Sequence, residues 1–193
     1  MAPVRARLAS GNAHKLGELR GALSGWELEL LETEAPYPPE DGTTYEENAR
    51  GKALFGRAFA QQGEWVLGED SGIEVDALDG GPGVRSARYG GAGSGPQRLL
   101  AELEGVDERR ARYVCTIVAI GPEGDEIVGR GTLQGHIGQE QRGDEGFGYD
   151  PIFVPTGEER TVAELGNAWK RVNSHRARAA AALAVAVADL SGV

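Results

Sequence analysis

The sequence predicts an α/β fold, and three observations carry that prediction. Stretches of strand length, such as Tyr113 to Ile120, are interspersed with amphipathic stretches of helix length. The two kinds are mixed without strict alternation. No internal repeat divides the 193 residues, a length that fits one ordinary domain, residues 1–193, or two small lobes around a shared cleft. With 40% hydrophobic and 26% charged residues, the chain has the makings of a sizeable core.

Each element follows from local signals. Residues 4–9 read as a first strand, followed by Ser10-Gly11-Asn12 and a helix over 13–23, whose Leu16, Leu19 and Leu23 form one stripe. A second strand over 26–31 leads into a Pro-rich loop from Pro36 to Gly42. Thr44 and Glu47 form a Thr-x-x-Glu capping box opening a second helix, which the pattern carries to about residue 62 near Gly63. Trp65-Val66-Leu67 is a short strand that stops at an acidic turn, Glu69-Asp70-Ser71-Gly72. Ile73 to Leu78 alternates apolar and acidic residues like a half-buried strand. Gly80 to Gly95 reads as a glycine-rich surface loop, and Pro96 opens a helix bearing Leu99, Leu100 and Leu103. Tyr113 to Ile120 is apolar on both faces, as a central strand should be, and 125–137 continues as strand. A Gly- and Asp-rich loop over 142–151 precedes Ile152-Phe153-Val154. The last helix runs from Ser174 as N-cap to about Leu190, with Ala180, Leu183, Val187 and Leu190 as its buried stripe.

Composition narrows the function classes. A net charge of −10 argues against a nucleic-acid partner, which usually meets a basic face. A small anionic ligand stays open, because a few local cations or a metal can outweigh the overall field. Only three of the cations are lysines, Lys15, Lys52 and Lys170, against seventeen arginines, and all three lie in the segments singled out below. No apolar run approaches the roughly 20 residues of a membrane span, and the first residues lack a signal-peptide core. The lone Cys115, inside an apolar run, reads as a buried thiol. The expected address is cytoplasmic, with no membrane partner.

Five segments combine residue types that could carry chemistry. Ser10-Gly11-Asn12-Ala13-His14-Lys15 joins a strand to a helix start, where backbone N–H groups and the positive dipole end favour an anion; a capped start needing no ligand is the alternative. It lacks the Walker spacing. Asp70, at the end of a buried strand, is placed to hold Mg²⁺ and to orient or deprotonate water, although acids at exposed turns are common. Asn48 and Lys52 share a face one helical turn apart, and Glu40-Asp41-Gly42 before them offers a second carboxylate. Gly146 to Pro151 sets glycines either side of Phe147, leaving a ring face for a flat base, or simply turns around a core aromatic. Lys170 precedes Ser174-His175-Arg176, where Arg176 opposes the helix dipole unless an anion or electron-rich edge offsets it.

In this order and spacing, the segments resemble the inosine/xanthosine triphosphate pyrophosphatase family. The matching pieces are Ser10-Gly11-Asn12 with Lys15 and Glu18; Gly42 to Ala49 with Lys52; Asp70 to Ile73; Pro82-Gly83-Val84 with Ser86 to Tyr89; Gly146 to Phe153; and Ser174-His175-Arg176 with Ala179. The resemblance implies a two-lobed mixed sheet with flanking helices and a central cleft, a homodimer, and Mg²⁺-dependent release of pyrophosphate from ITP, dITP or XTP. It makes Asp70 the catalytic base and a metal ligand. Ser10, Gly11, Asn12, Ala13, His14, Lys15, Lys52 and Ser71 would hold the triphosphate. Phe147, Gly148, Tyr149, Asp150, Lys170, His175 and Arg176 would form the base and sugar pocket. Three positions depart from the family: Glu69 stands for a common Asp, Arg85 for a Tyr, and Pro39 for the expected metal-binding Glu, leaving Glu40 as the substitute ligand. Two rival readings remain: a Maf-type pyrophosphatase acting on pyrimidine or modified nucleotides, and a nucleotide-binding module without turnover.

Overall fold

The elements run in the order β1 (Val4–Leu8), α1 (Ala13–Ala22), β2 (Trp26–Leu30), α2 (Tyr45–Arg57) and β3 (Trp65–Val75). Two short 3-10 helices, Asp76–Leu78 and Gly83–Arg88, lead to α3 (Gly95–Glu102), β4 (Arg110–Ile120), β5 (Glu126–Ile137), β6 (Phe153–Pro155), α4 (Val162–Asn173) and α5 (His175–Leu190). This is a computed structural model that describes residues 3–91 and 95–190, so residues 92–94 of the expected glycine-rich loop lie outside the described residues. The six strands form one mixed sheet in the order β2-β1-β3-β4-β5-β6. β1 is parallel to both β2 and β3, while β6 is antiparallel to β5 with Ile137 opposite Phe153. The expected α/β class with flanking helices is what the chain adopts.

The chain divides into two compact units. One comprises Met1–Asp70, Cys115–Gly131 and Arg176–Val193, and the other Ser71–Val114 and Thr132–His175. In the first, alternate residues of the strands feed two helix layers, because successive side chains leave opposite faces of a sheet. Leu67, Ile117, Ala119 and Ile127 pack with Leu16, Leu19 and Leu23 of α1 and Ala180, Leu183 and Val187 of α5. Val118, Ile120 and Val128 face Ala49 and Ala53 of α2. Glycine permits the closest approaches. A Cβ on Gly68 would come within 1.9 Å of the Ala49 carbonyl oxygen, and one on Gly129 within 2.4 Å of that of Ala179. The second unit has its own core, in which Ile73, Leu99, Leu103, Tyr113, Ile152 and Phe153 are prominent.

Three expectations are corrected, and one helix lies where none was expected. β3 does not stop at an acidic turn: it runs unbroken through Glu69 and Asp70, which are buried. Two adjacent carboxylates followed by Ser-Gly look like a turn locally, yet cations distant in sequence neutralise them inside the sheet. α2 ends at Arg57 rather than near residue 62, and the Arg57 guanidinium donates to the carbonyls of Gln61 and Glu64, holding the turn that follows. Leu190 is 57% exposed, so the buried stripe of α5 ends at Val187. α4 lies in a stretch to which the sequence reading gave no element, although Thr161 and Glu164 form a second capping box. The first box, Thr44 with Glu47, forms as expected.

Candidate functional site

In the first unit, Glu69 and Asp70 stand side by side on β3 and therefore face opposite helix layers. Glu69 is fully buried towards α1 and α5. Lys15 Nζ lies 2.6 Å from its Oε2, and the Arg176 guanidinium 3.0 Å from its Oε1. Arg176 also pairs with Glu18 at 2.5 Å, and the Cys115 thiol donates to Glu69 at 3.4 Å. Burial pushes the Glu69 carboxyl up, but Arg176, Lys15 and Lys52 together overcome it and hold the group well below the usual carboxylate range. Burial likewise works to lower Lys15, and Glu69 reverses the sign, so the ammonium is held above its ordinary value. Burial pushes the Cys115 thiol well up, as befits a core residue rather than a nucleophile.

Asp70 faces the other way, towards α2. Asn48 Nδ2 donates to its Oδ2 at 2.9 Å, and Lys52 Nζ lies 3.7 Å from its Oδ1. The same ammonium meets Glu40 Oε1 at 2.5 Å. Burial raises the Asp70 pKa, against the pull of Lys52 and the Asn48 amide, and the nearby Glu40 and Glu69 carboxylates add to the rise. A raised carboxylate is a stronger base than an ordinary one. Glu40 thus reaches the Asp70 neighbourhood even though Pro39 precedes it.

Among the described residues, no group of three or more His, Cys, Asp and Glu side chains could hold a metal ion. Two carboxylates converging on one cation is nonetheless the donor set that a phosphate-bound magnesium takes from protein, the rest of its shell being water and substrate oxygen. Glu40 and Asp70 fit that requirement.

The start of α1 is capped by Asn12, whose Oδ1 accepts from the backbone N–H of His14 and of Lys15, while Ser10 Oγ accepts from Asn12 N. Two amides expected to face an anion are therefore engaged by the cap. No protein atom lies within 4 Å of where a Cβ would sit on Gly11, so packing does not demand glycine there. Ala13 and His14 are exposed, and Ser71 follows Asp70 half-buried on β3.

The second unit holds the other expected group. Asp150, buried, accepts from Phe147 N at 2.8 Å and from Tyr113 Oη at 3.2 Å, and it pairs with Lys170 Nζ at 2.7 Å. That ammonium also lies 4.5 Å from the centre of the Phe147 ring, so a cation occupies part of the surface expected to be open for stacking. A Cβ on Gly146 would meet Asp150 Oδ2 at 2.2 Å, and its φ of 81° is left-handed, so the turn requires glycine there. Gly148 is exposed. Tyr149 is a core residue whose hydroxyl donates to the Ser86 carbonyl; burial pushes its phenol up to about 12. The His175 ring stacks on Tyr113, centroids 4.5 Å apart.

The structure therefore sorts the expected residues into two clusters. In the first, around β3, Lys52 and Glu40 gather at Asp70 while Lys15 sits on Glu69 at the opposite face; Phe147, Asp150 and Lys170 form the second. Arg176, expected with the base-binding group, has its guanidinium held by Glu18 and Glu69 of the first. Reasoning from sequence did not single out Asn48 as the Asp70 partner, Glu69 as the hub of a buried ion cluster, or Tyr113. A charged pair inside an otherwise apolar strand was a usable signal for Glu69; Tyr113 left none.

A dITP/XTP pyrophosphatase from Deinococcus deserti is 45% identical over 187 residues, covering 94% of this chain and 88% of that protein. Another of the same name from Mycobacterium tuberculosis is 45% identical over 196 residues, covering 95% of each. Among solved structures, a HAM1 protein from Coxiella burnetii superposes with a TM-score of 0.83 at 34% identity, covering 96% of this chain and 99% of its own. Residues 6–186 match the Ham1 family model, and on these grounds the chain belongs to the Ham1 family.

Proposed function

We propose that this protein hydrolyses deaminated purine nucleoside triphosphates, ITP, dITP and XTP, to the monophosphate and pyrophosphate, clearing them from the nucleotide pool. The observation that carries the reading is the buried Asp70, its pKa raised and its carboxylate set beside Lys52 and Glu40, in a chain whose relatives bear the name dITP/XTP pyrophosphatase. Asp70 orients a water and takes its proton as the water oxygen bonds to the α-phosphorus. The bond from that phosphorus to the bridging oxygen breaks, and pyrophosphate leaves. Lys52 and Lys15 offset the charge that grows on the bridging oxygen, helped by Ser10, Gly11, Asn12 and Ser71 around the phosphates. Glu40 and Asp70 would hold Mg²⁺, which when bound supplies Lewis-acid stabilisation of phosphate oxygens.

For the base, Lys170 is the natural donor to a 6-oxo group, since Asp150 fixes its ammonium over Phe147. An amino group at that position would face a donor with a donor, a mismatch that sites of this kind reject strongly. The protein acts in this reading as a cytoplasmic homodimer. Among the described residues no helix is long and apolar enough to cross a membrane, which is compatible with that address.

The test is steady-state pyrophosphate release from ITP, dITP, XTP, ATP, UTP and dTTP with Mg²⁺. Turnover confined to the first three is expected. Equal rates on ATP overturn the specificity, preference for UTP or dTTP points to a Maf-type enzyme, and ITP binding without turnover leaves only a binding module.

A further inference from the structure

We propose that Asn48 is a positioning residue whose single amide presets the two acids, Asp70 and Glu40, as one site for a divalent cation; the inference rests on the functional reading above. Asn48 is 5% exposed and stands on the first turns of α2. Its Nδ2 donates to Asp70 Oδ2 at 2.9 Å, and its Oδ1 accepts from Gly42 N at 2.9 Å. These partners fix the amide's orientation, because the flipped form would set oxygen against carboxylate and N–H against N–H. One end therefore orients the Asp70 carboxylate, leaving Oδ1 turned to the Lys52 ammonium. The other end ties down the loop that carries Glu40 two residues before Gly42. The fit is close: a Cβ on Gly42 would lie 2.7 Å from Asn48 Oδ1. Lys52, one turn further along the same helix face, meets both acids. α2 thus joins a strand acid to a loop acid through two successive side chains.

Groups that orient metal ligands typically change metal affinity or activity by about 10–100-fold when removed. Two variants separate positioning from simple loop support. Asn48→Ala loses both hydrogen bonds. Asn48→Asp keeps an acceptor for Gly42 N but loses the donor to Asp70. Mn²⁺ binding to the nucleotide-free protein is measured by calorimetry for wild type and Asn48→Ala. The kcat and KM for ITP at saturating Mg²⁺, and the melting temperature, are measured for all three proteins. The expected result is Mn²⁺ affinity about tenfold or more weaker in Asn48→Ala, with kcat lowered at least tenfold in both variants and KM little changed. The melting temperature of Asn48→Asp should fall below that of wild type, because a second buried carboxylate then faces Asp70. Wild-type Mn²⁺ affinity in Asn48→Ala overturns the proposal, as does a wild type that binds no Mn²⁺. So does wild-type kcat in Asn48→Asp, which would leave only the loop contact. A wild type that binds Mn²⁺ but is inert on ITP defeats the functional reading alone, and the Mn²⁺ comparison then still decides the role of Asn48.

Discussion

Glu69 has two cations against it and no exposed surface, so its charge is tolerable only while Lys15 and Arg176 remain in place. Removing one partner of a buried ion cluster typically costs about 3–5 kcal/mol, because the others are left buried and uncompensated. Glu69→Gln should therefore lower the free energy of unfolding by that order, read from the midpoint and slope of urea unfolding. A midpoint within error of wild type would mean that the cluster contributes no stability. The pH dependence has a definite sign. With a folded pKa below the unfolded one, Glu69 contributes its full stability above the ordinary carboxylate range and loses it as pH falls through the depressed folded value. Wild type should accordingly lose more stability on acidification than Glu69→Gln. The neighbouring acid behaves differently. On the function proposed above, Asp70→Asn keeps shape and removes the base, so kcat on ITP should fall by about 10²–10⁴-fold with the melting temperature little changed. Activity within a few-fold of wild type would sink its catalytic assignment.

At the scale of elements, α2 is the part on which the first cluster depends most. Its capping box fixes where the helix begins, and Gly68 lets it lie directly on β3. An ionic ladder ties its outer face to β5: Arg50 pairs with Glu46 and Glu126, and Arg130 also pairs with Glu46. Gly68→Ala would drive a methyl into the helix backbone at Ala49 and Ala53, where no side chain can swing away. Overpacking of this kind costs typically about 1–3 kcal/mol, and here the displaced element carries Asn48 and Lys52. The variant should lose both stability and turnover, read by thermal melting and ITP hydrolysis. Full activity in Gly68→Ala would show that α2 can move without disturbing the acids. In the second unit α4 plays the corresponding part for Lys170, and it bends at Gly166, whose φ of 84° brings it against Glu145.

For the whole molecule, the sequence shows its class through mixed apolar and amphipathic stretches, and its helix starts through Thr-x-x-Glu and Asn caps. Strand order and the run of β3 through Glu69 and Asp70 were not legible, because both depend on partners far along the chain. The lysines were legible as exceptions in an arginine-rich chain, whereas the capture of Arg176 by Glu18 was not, since nothing local announces a pair 158 residues apart. A charge of −10 leads to one further expectation. The protein should not retard duplex DNA in a gel at physiological salt, and clear retardation would contradict the small-ligand reading.

The tandem acids of β3 have one more consequence. Because residue parity alone assigns each carboxylate to its layer, inserting or deleting a single amino acid between Trp65 and Glu69 would exchange their surroundings. The acid beside Asn48 would then be presented to Arg176, and the other to Lys52. A substitution there alters one side chain, whereas a change of length moves both acids at once.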